Sequence, residues 1–191
     1  EKTFKRIRQE SVDSFKLLKR YREFLKFCVC GLFYQAGIAV VITLSAVYAQ
    51  LVMKFTTAQT ITLILVVNIT AAIGAFVFGY VQDRLGHKKT LALTILLWII
   101  MGVMAAFSHG PVSFWIAANI AGIAMGSSQS AGRAVVAVFA PAGELAQFYS
   151  AWNVAVWGAN VLGPITYGTV TWLTSGDQRT AILVTTLFFV I

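Results

Sequence analysis

The chain has 191 residues, of which 58% are hydrophobic and 12% are charged, and its formal net charge is +8. Ordinary soluble domains carry about 25% charged residues, and they offer no surface for this composition, so a soluble fold is excluded. The composition instead predicts an all-α, polytopic membrane helix bundle.

Long uncharged stretches follow one another along the chain. Because a membrane span needs about 20 apolar residues, the sequence predicts five complete spans and a sixth, incomplete helix. The twelve residues from Thr180 to Ile191 are too few to cross hydrocarbon about 30 Å thick. The chain also starts at Glu1 without a methionine, which favours a fragment of a longer polypeptide. The predicted spans cover residues 27–50, 60–81, 90–107, 112–138 and 146–173, and the sixth helix begins near Thr180.

Residues 1–26 are a basic lead-in to the transmembrane bundle, which covers 27–191. Nine of the fifteen Lys and Arg residues lie before Phe27, and three more lie in the turn after the second span. The positive-inside tendency places both regions in the cytoplasm, so we interpret the charge as a topology signal and not as a nucleic-acid footprint. The lead-in has apolar residues near helical spacing, which favours an interfacial helix on membrane lipids. A solvated basic linker is the alternative.

The turn between the second and third spans has the most specific pattern. It reads Gly79-Tyr-Val-Gln-Asp83-Arg84-Leu-Gly86-His87-Lys88-Lys89. This sequence resembles the signature loop of the major facilitator superfamily, a group of secondary transporters. We interpret Asp83 as the centre of a conformational latch that is made in one access state and broken in the other, paired with Arg84 or Arg133. We expect Gly79 to allow close packing beside Asp83. The latch residues are Gly79, Asp83, Arg84, Gly86, Lys88, Lys89 and Arg133.

Small residues recur every four positions on the fourth predicted span. The stripe includes Gly122 and Gly126, and it predicts the close approach of another helix. Gln129 and Arg133 follow on nearly the same face. Arg133 is the only charge well inside a predicted span, and it either forms a functional pair or reaches the headgroups as an interfacial anchor.

Polar and aromatic residues form a stripe on the fifth predicted span. Such a face suits a cavity that recognises a small polar solute with an apolar body, and the alternative is that its asparagines join helices. Gly163 and Pro164 interrupt the backbone ladder and predict a hinge. The stripe comprises Tyr149, Asn153, Trp157, Asn160, Pro164 and Tyr167.

Several further segments resemble the C-terminal half of the vacuole-effluxer-like branch of the superfamily, which includes autophagy-related vacuolar amino-acid exporters. The resemblance covers essentially the whole chain. It implies a fold of twelve helices in two six-helix halves, with solute held between the halves, so that the N-terminal half is a partner. The chain departs from the family pattern at two places. It has Gln35-Ala36 where an Asn-Asp pair is expected, and it lacks the basic residue that is expected near Trp157. The segments are Phe33-Tyr34-Gln35-Ala36-Gly37-Ile38, Gln129-Ser130-x-Gly132-Arg133 and the stretch from Glu144 to Pro164.

The sequence therefore predicts a secondary active transporter that moves a small solute, an amino acid or a similar metabolite, by alternating access. Protons are a candidate coupling ion. The membrane is the bacterial inner membrane, with the vacuolar membrane as the alternative. The predicted solute contacts are Tyr34, Gln35, Asn68, Gln129, Asn153, Trp157 and Asn160.

A second class of function is a non-transporting, half-size scaffold or auxiliary subunit that docks a partner through Gly122 and Gly126. An enzyme is not expected, because the predicted spans contain no nucleophile–base pair. They also lack a constellation of side chains typical of a metal or cofactor site, so neither is predicted.

Overall fold

The computed structural model describes residues 19–190, and over this range it contains helices and no β-strand. The predicted all-α class is confirmed. The interfacial helix predicted in the lead-in lies mainly outside the described residues. The helices are α1 (Arg22–Leu51), α2 (Thr57–Leu85), α3 (His87–Ala106), α4 (Pro111–Phe139), α5 (Leu145–Leu173) and α6 (Gln178–Thr186), and a 3-10 turn (Leu187–Phe189) follows α6.

Among the described residues, α1, α2 and α3 are both long enough and apolar enough to cross a membrane. The helices α4 and α5 have 29 residues each, which is as long as α2, but their composition is less apolar. Each of the five predicted spans thus corresponds to a helix that is long enough to cross a membrane. Three of these helices, α1, α2 and α3, are also apolar enough to do so. The sixth helix begins at Gln178, two residues before the predicted start.

Local chemistry sets the helix ends. Thr56 and Gln59 form a capping box at the start of α2, in which the Thr56 amide donates to Gln59 Oε1 at 2.9 Å and the Gln59 amide donates to Thr56 Oγ1 at 3.3 Å. Gly86 ends α2 and precedes α3 with a φ of +80°, a conformation that a side chain would strain. These signals fix where α2 begins and ends and where α3 begins.

Two helix pairs form the body of the bundle, with α2 packed along α4 and α1 packed along α5. A Cβ atom added to Gly126 would overlap the carbonyl oxygen of Ala71, and one added to Gly122 would overlap the side chain of Thr70. The predicted close approach at the small-residue stripe is therefore confirmed. The hypothesis that a separate partner docks through these two glycines is wrong, because α2 already occupies them.

The helices α1 and α5 also pack closely at glycine residues, and here one of the contacts is with a large aromatic side chain. Gly31 leaves room for the ring of Trp152, and Gly163 lies against the carbonyl oxygen of Ala36. Near the start of α1, the fully buried rings of Phe24 and Phe148 lie with centroids 4.5 Å apart. Aromatic packing thus fastens the beginning of α1 to the beginning of α5.

The short helix α6 packs against both α3 and α5. The ring of Phe189 stacks on Trp98 with centroids 5.5 Å apart, and Thr186 lies where a side chain on Gly102 would clash. A polar contact adds to this packing, since Arg179 Nη2 donates to the carbonyl oxygen of Ser108 at 2.7 Å. The start of α6 is therefore bonded to the turn that joins α3 to α4.

Asp177 caps the first turn of α6. Its carboxylate accepts from the backbone amides of Arg179 at 2.9 Å and Thr180 at 3.3 Å, and from the hydroxyl of Thr180. The Thr180 hydroxyl contributes most to lowering the pKa of Asp177 below its ordinary value, and the backbone amides lower it further. Asp177 thus stays ionised and keeps its capping bonds at neutral pH.

Replacement of Gly126 by alanine should lower the free energy of unfolding by about 1–3 kcal/mol, because the new methyl group meets the backbone of α2, which cannot rotate away. Gly79→Ala is the matched control. A Cβ atom there meets no atom within 4 Å, and helix propensity favours alanine by up to about 1 kcal/mol. Thermal unfolding in detergent measures both, and equal melting temperatures for the two variants would contradict the packing assignment.

Candidate functional site

The predicted solute contacts fall into two groups in the structure. One group lies inside the bundle, where α1, α4 and α5 meet, and we call it the buried polar group. The other lies on the outside of the described bundle, and we call it the exposed polar group. The buried polar group is Tyr34, Gln35 and Gln129, and the exposed polar group is Asn68, Asn153, Trp157 and Asn160.

The buried polar group is poorly satisfied. Gln129 Nε2 donates to Gln35 Oε1 at 3.5 Å, which is at the long limit of a hydrogen bond. Tyr34 is only 2% exposed, and its hydroxyl has no hydrogen-bond partner within the described chain. An unpaired buried hydroxyl costs free energy, so hydrogen bonding within the described residues does not account for the tyrosine at this position.

Gly132 and Trp152 complete the surroundings of Tyr34, and sequence reasoning did not assign a role to either. A Cβ atom on Gly132 would lie 2.9 Å from the Tyr34 hydroxyl and 3.4 Å from the ring of Trp152. Trp152 is buried and stacks on Phe27 with centroids 5.0 Å apart. The helical spacing of the apolar residues Phe148, Trp152 and Ala159 along α5 is the sequence signal that could have identified this face.

Arg133 lies beside the buried polar group but is exposed. Its carbonyl oxygen accepts from the hydroxyl of Tyr149 at 3.0 Å, which joins α4 to α5. Arg133 is also the only charged residue between Lys89 and Glu144. Its guanidinium makes no ion pair with another residue of the described chain.

The exposed polar group lies on two helices that do not contact one another extensively. Asn68 Nδ2 donates to the carbonyl oxygen of Ile64, one turn earlier, at 2.8 Å. Asn153, Trp157 and Asn160 share one exposed face of α5, and Trp157 is 69% exposed. The stripe predicted on the fifth span does not form a single exposed surface, because Tyr167 is buried and its hydroxyl donates to Gln178.

The turn between α2 and α3 is largely exposed. Asp83 makes no ion pair with Arg84 or Arg133 in this conformation of the described residues. A side chain at Gly79 would meet no atom of the described residues within 4 Å, so the close packing expected at Gly79 stays a prediction. The exposed members of the predicted latch are Asp83, Arg84, Gly86, Lys88, Lys89 and Arg133.

The predicted hinge lies within an unbroken helix. Pro164 is inside α5, which runs continuously from Leu145 to Leu173. Gly163 is buried against α1, where a Cβ atom would overlap the carbonyl oxygen of Ala36. Close packing therefore accounts for Gly163, and the hinge stays a prediction.

A cavity of about 220 Å³ is lined by residues of all six helices, α1 to α6, and of the 3-10 turn that follows α6. Of the predicted solute contacts, Asn68 alone lines it. Sequence reasoning missed this cavity because its walls are ordinary apolar side chains from distant parts of the chain. Among residues 19–190, no group of three or more His, Cys, Asp and Glu could hold a metal ion.

The bundle of apolar helices and its signature turn define a class of protein, a multi-pass membrane protein of the major facilitator type. Residues 5–191 match the vacuole effluxer Atg22-like family, and the chain belongs to this family. Both the earlier resemblance and the membrane location are thereby confirmed.

Two curated relatives agree with this assignment. The chain is 26% identical to an uncharacterized MFS-type transporter YxiO of Bacillus subtilis over 189 residues, which are 99% of this chain and 43% of that protein. It is 33% identical to a putative metabolite transport protein of Haemophilus influenzae over 133 residues, which are 68% of this chain and 32% of that protein. The chain thus spans less than half the length of the curated relatives it matches.

Substitution of Tyr34 by phenylalanine should leave the free energy of unfolding unchanged or raise it by about 1 kcal/mol, because it removes a buried hydroxyl without a partner. Tyr149→Phe is the matched comparison. It should lower the free energy of unfolding by about 0.5 kcal/mol, because it removes the bond to the Arg133 carbonyl. Unfolding in detergent measures both, and a larger loss for Tyr34→Phe would show that its hydroxyl is bonded after all.

Proposed function

We propose that the chain forms one half of a secondary active transporter, which moves a small solute by alternating access. The solute class is an amino acid or a similar metabolite. Membership of the vacuole effluxer family supports this proposal, as does the length of the relatives, which leaves room for a second half of about the same size. The two halves enclose the solute, and the exposed polar group contributes one side of its path.

The observation that carries the proposal is the exposure of amide side chains far from the helix ends. Asn68 lies 11 residues after Thr57, the first residue of α2, and Asn160 lies 15 residues after Leu145, the first residue of α5. At about 1.5 Å per residue these positions lie roughly 16 and 22 Å along helices that are each about 44 Å long. An amide exposed to acyl chains at such depth costs free energy, so these side chains favour a water-filled path.

The two polar groups have different places in the proposed mechanism. Asn153 and Asn160 supply hydrogen-bonding amides to the solute, and the exposed ring of Trp157 between them supplies an apolar face. The buried polar group lies behind this surface at the junction of α1, α4 and α5. In the conformation described here Tyr34 is covered, so the solute reaches it only after these helices separate.

Alanine at Asn153 and Asn160 together should reduce transport by the complete protein by about fivefold or more, because each amide contributes hydrogen bonds worth about 0.5–1.5 kcal/mol. Thr169→Ala on the same helix is the control. Thr169 is exposed and lies nine residues from Asn160, which places it on the opposite side of α5. Uptake or efflux in proteoliposomes measures the rate, and equal rates for all three proteins would contradict the assigned path.

Asp83 and the neighbouring turn supply the proposed conformational latch. Asp83 is exposed and unpaired with the nearby arginines in the conformation described here, as expected for a latch that is open in one state. When the other access state forms, the carboxylate pairs with an arginine or with the amides at a helix start. The basic side chains Lys88 and Lys89 hold this turn at the cytoplasmic surface.

The variant Asp83→Asn should slow interconversion of the access states several-fold, because an amide keeps the shape of the side chain and removes its charge. Glu144→Gln, in the turn before α5, is the control with the same chemical change at another helix junction. Transport rate and crosslinking between cytoplasmic helix ends report the effect. The latch is wrong if Asp83→Asn matches the wild type in both measurements.

A further inference from the structure

The cavity of about 220 Å³ has a closed, apolar inner end. Trp98 and Met101 of α3 and Ala121 and Met125 of α4 line it, and Phe189 lies against Trp98. These side chains offer no charge and few hydrogen-bonding groups. Engineered apolar cavities of about 150 Å³ stay dry and bind benzene, so a larger apolar cavity has room for a small ring or a branched aliphatic group.

The mouth of the cavity lies between α1 and α2 and has a different character. Ser45 and Asn68 line it beside the exposed side chains of Ile42 and Ile64. Asn68 Nδ2 is used by the Ile64 carbonyl, whereas Asn68 Oδ1 accepts no hydrogen bond from residues 19–190. An amide oxygen held at the rim in this way can accept from a donor on a bound molecule.

The depth of Asn68 in the membrane indicates whether the mouth of the cavity opens to lipid acyl chains or to the proposed solute path. Asn68 lies about 16 Å into α2, where an amide exposed to acyl chains is costly. The same reasoning places Asn68 on the solute path in the proposed function. The cavity is therefore a side pocket of that path.

We infer that this side pocket is a subsite that receives the apolar part of the transported solute while Asn68 Oδ1 accepts from the polar part. The inference rests on the proposed function. It assigns the ligand class as a small amphiphile, with an N–H or O–H donor at one end and an apolar group no larger than a benzene ring or a short branched chain at the other. This shape uses the whole pocket, since the donor meets the polar rim and the apolar group contacts the apolar lining.

Binding of indole tests the pocket without any transport step. Indole should raise the melting temperature of the complete protein in detergent, because it has one N–H donor and an apolar ring. Leucine at Ala121 or at Ala118, two lining positions on α4, fills the pocket and should abolish the shift. Ala137→Leu is the control, because Ala137 is exposed on the same helix and does not line the cavity.

Three outcomes of this experiment overturn the inference. The first is an indole shift that both filled variants retain, and the second is the absence of a shift in the wild type. The third is a co-purified lipid that occupies the pocket and is lost from both filled variants, which would make the cavity a lipid site. Two filled positions are used so that the failure of one variant to fold does not decide the result.

A size series of solutes tests the link to transport. With glycine, alanine, valine and leucine, the apparent affinity should rise about fourfold for each buried methylene in the wild type. Ala121→Leu should lose this size dependence, whereas Asn153→Ala should weaken all four solutes alike. Transport without size dependence would overturn the subsite and leave the proposed function standing. Indole binding that depends on Ala121, together with no amino-acid transport, would instead overturn the proposed solute class.

Discussion

Close backbone contact between helices is the constraint on which the rest of this structure depends. In a membrane, lipid tails are as apolar as the side chains, so helices associate by van der Waals packing and not by exclusion of water. Gly126 against Ala71 and Gly163 against Ala36 bring α2 to α4 and α1 to α5 at distances that a single methyl group would disturb. Because these contacts fix how each helix is rotated, they also decide which side chains are buried and which are exposed.

That rotation divides the polar side chains. Gln35 and Gln129 meet across α1 and α4 at 3.5 Å, and Tyr34 is covered without a partner, so the bundle interior holds polar groups that it satisfies poorly. On the outside, Asn153 and Asn160 share an exposed face of α5. Natural interiors rarely leave hydroxyls unpaired, so both features direct attention to the solute path that we propose.

The two ends of the bundle both combine hydrogen bonds with aromatic packing. At the end that holds the start of α6, Arg179 bonds to the Ser108 carbonyl and Asp177 caps the helix, while the rings of Tyr48 and Phe55 pack against Phe114. At the opposite end, Phe24 and Phe148 pack ring against ring and Tyr149 donates to the Arg133 carbonyl, while Asp83 in the neighbouring turn lies exposed.

The sequence by itself determined the helices, the family and the small-residue stripe, because hydropathy, capping and a contiguous turn are local properties of the chain. The capping box at Thr56 and the left-handed Gly86 can be recognised from neighbouring residues alone. The tertiary structure was needed to show that, within the described residues, Gly126 contacts another helix whereas Gly79 does not, and that Tyr34 is buried whereas Asn153 is exposed. Helical spacing gives the direction in which a residue points from its helix, but it does not identify the neighbour in that direction. The side pocket is the clearest example, since its walls come from six helices and no single stretch of sequence contains it.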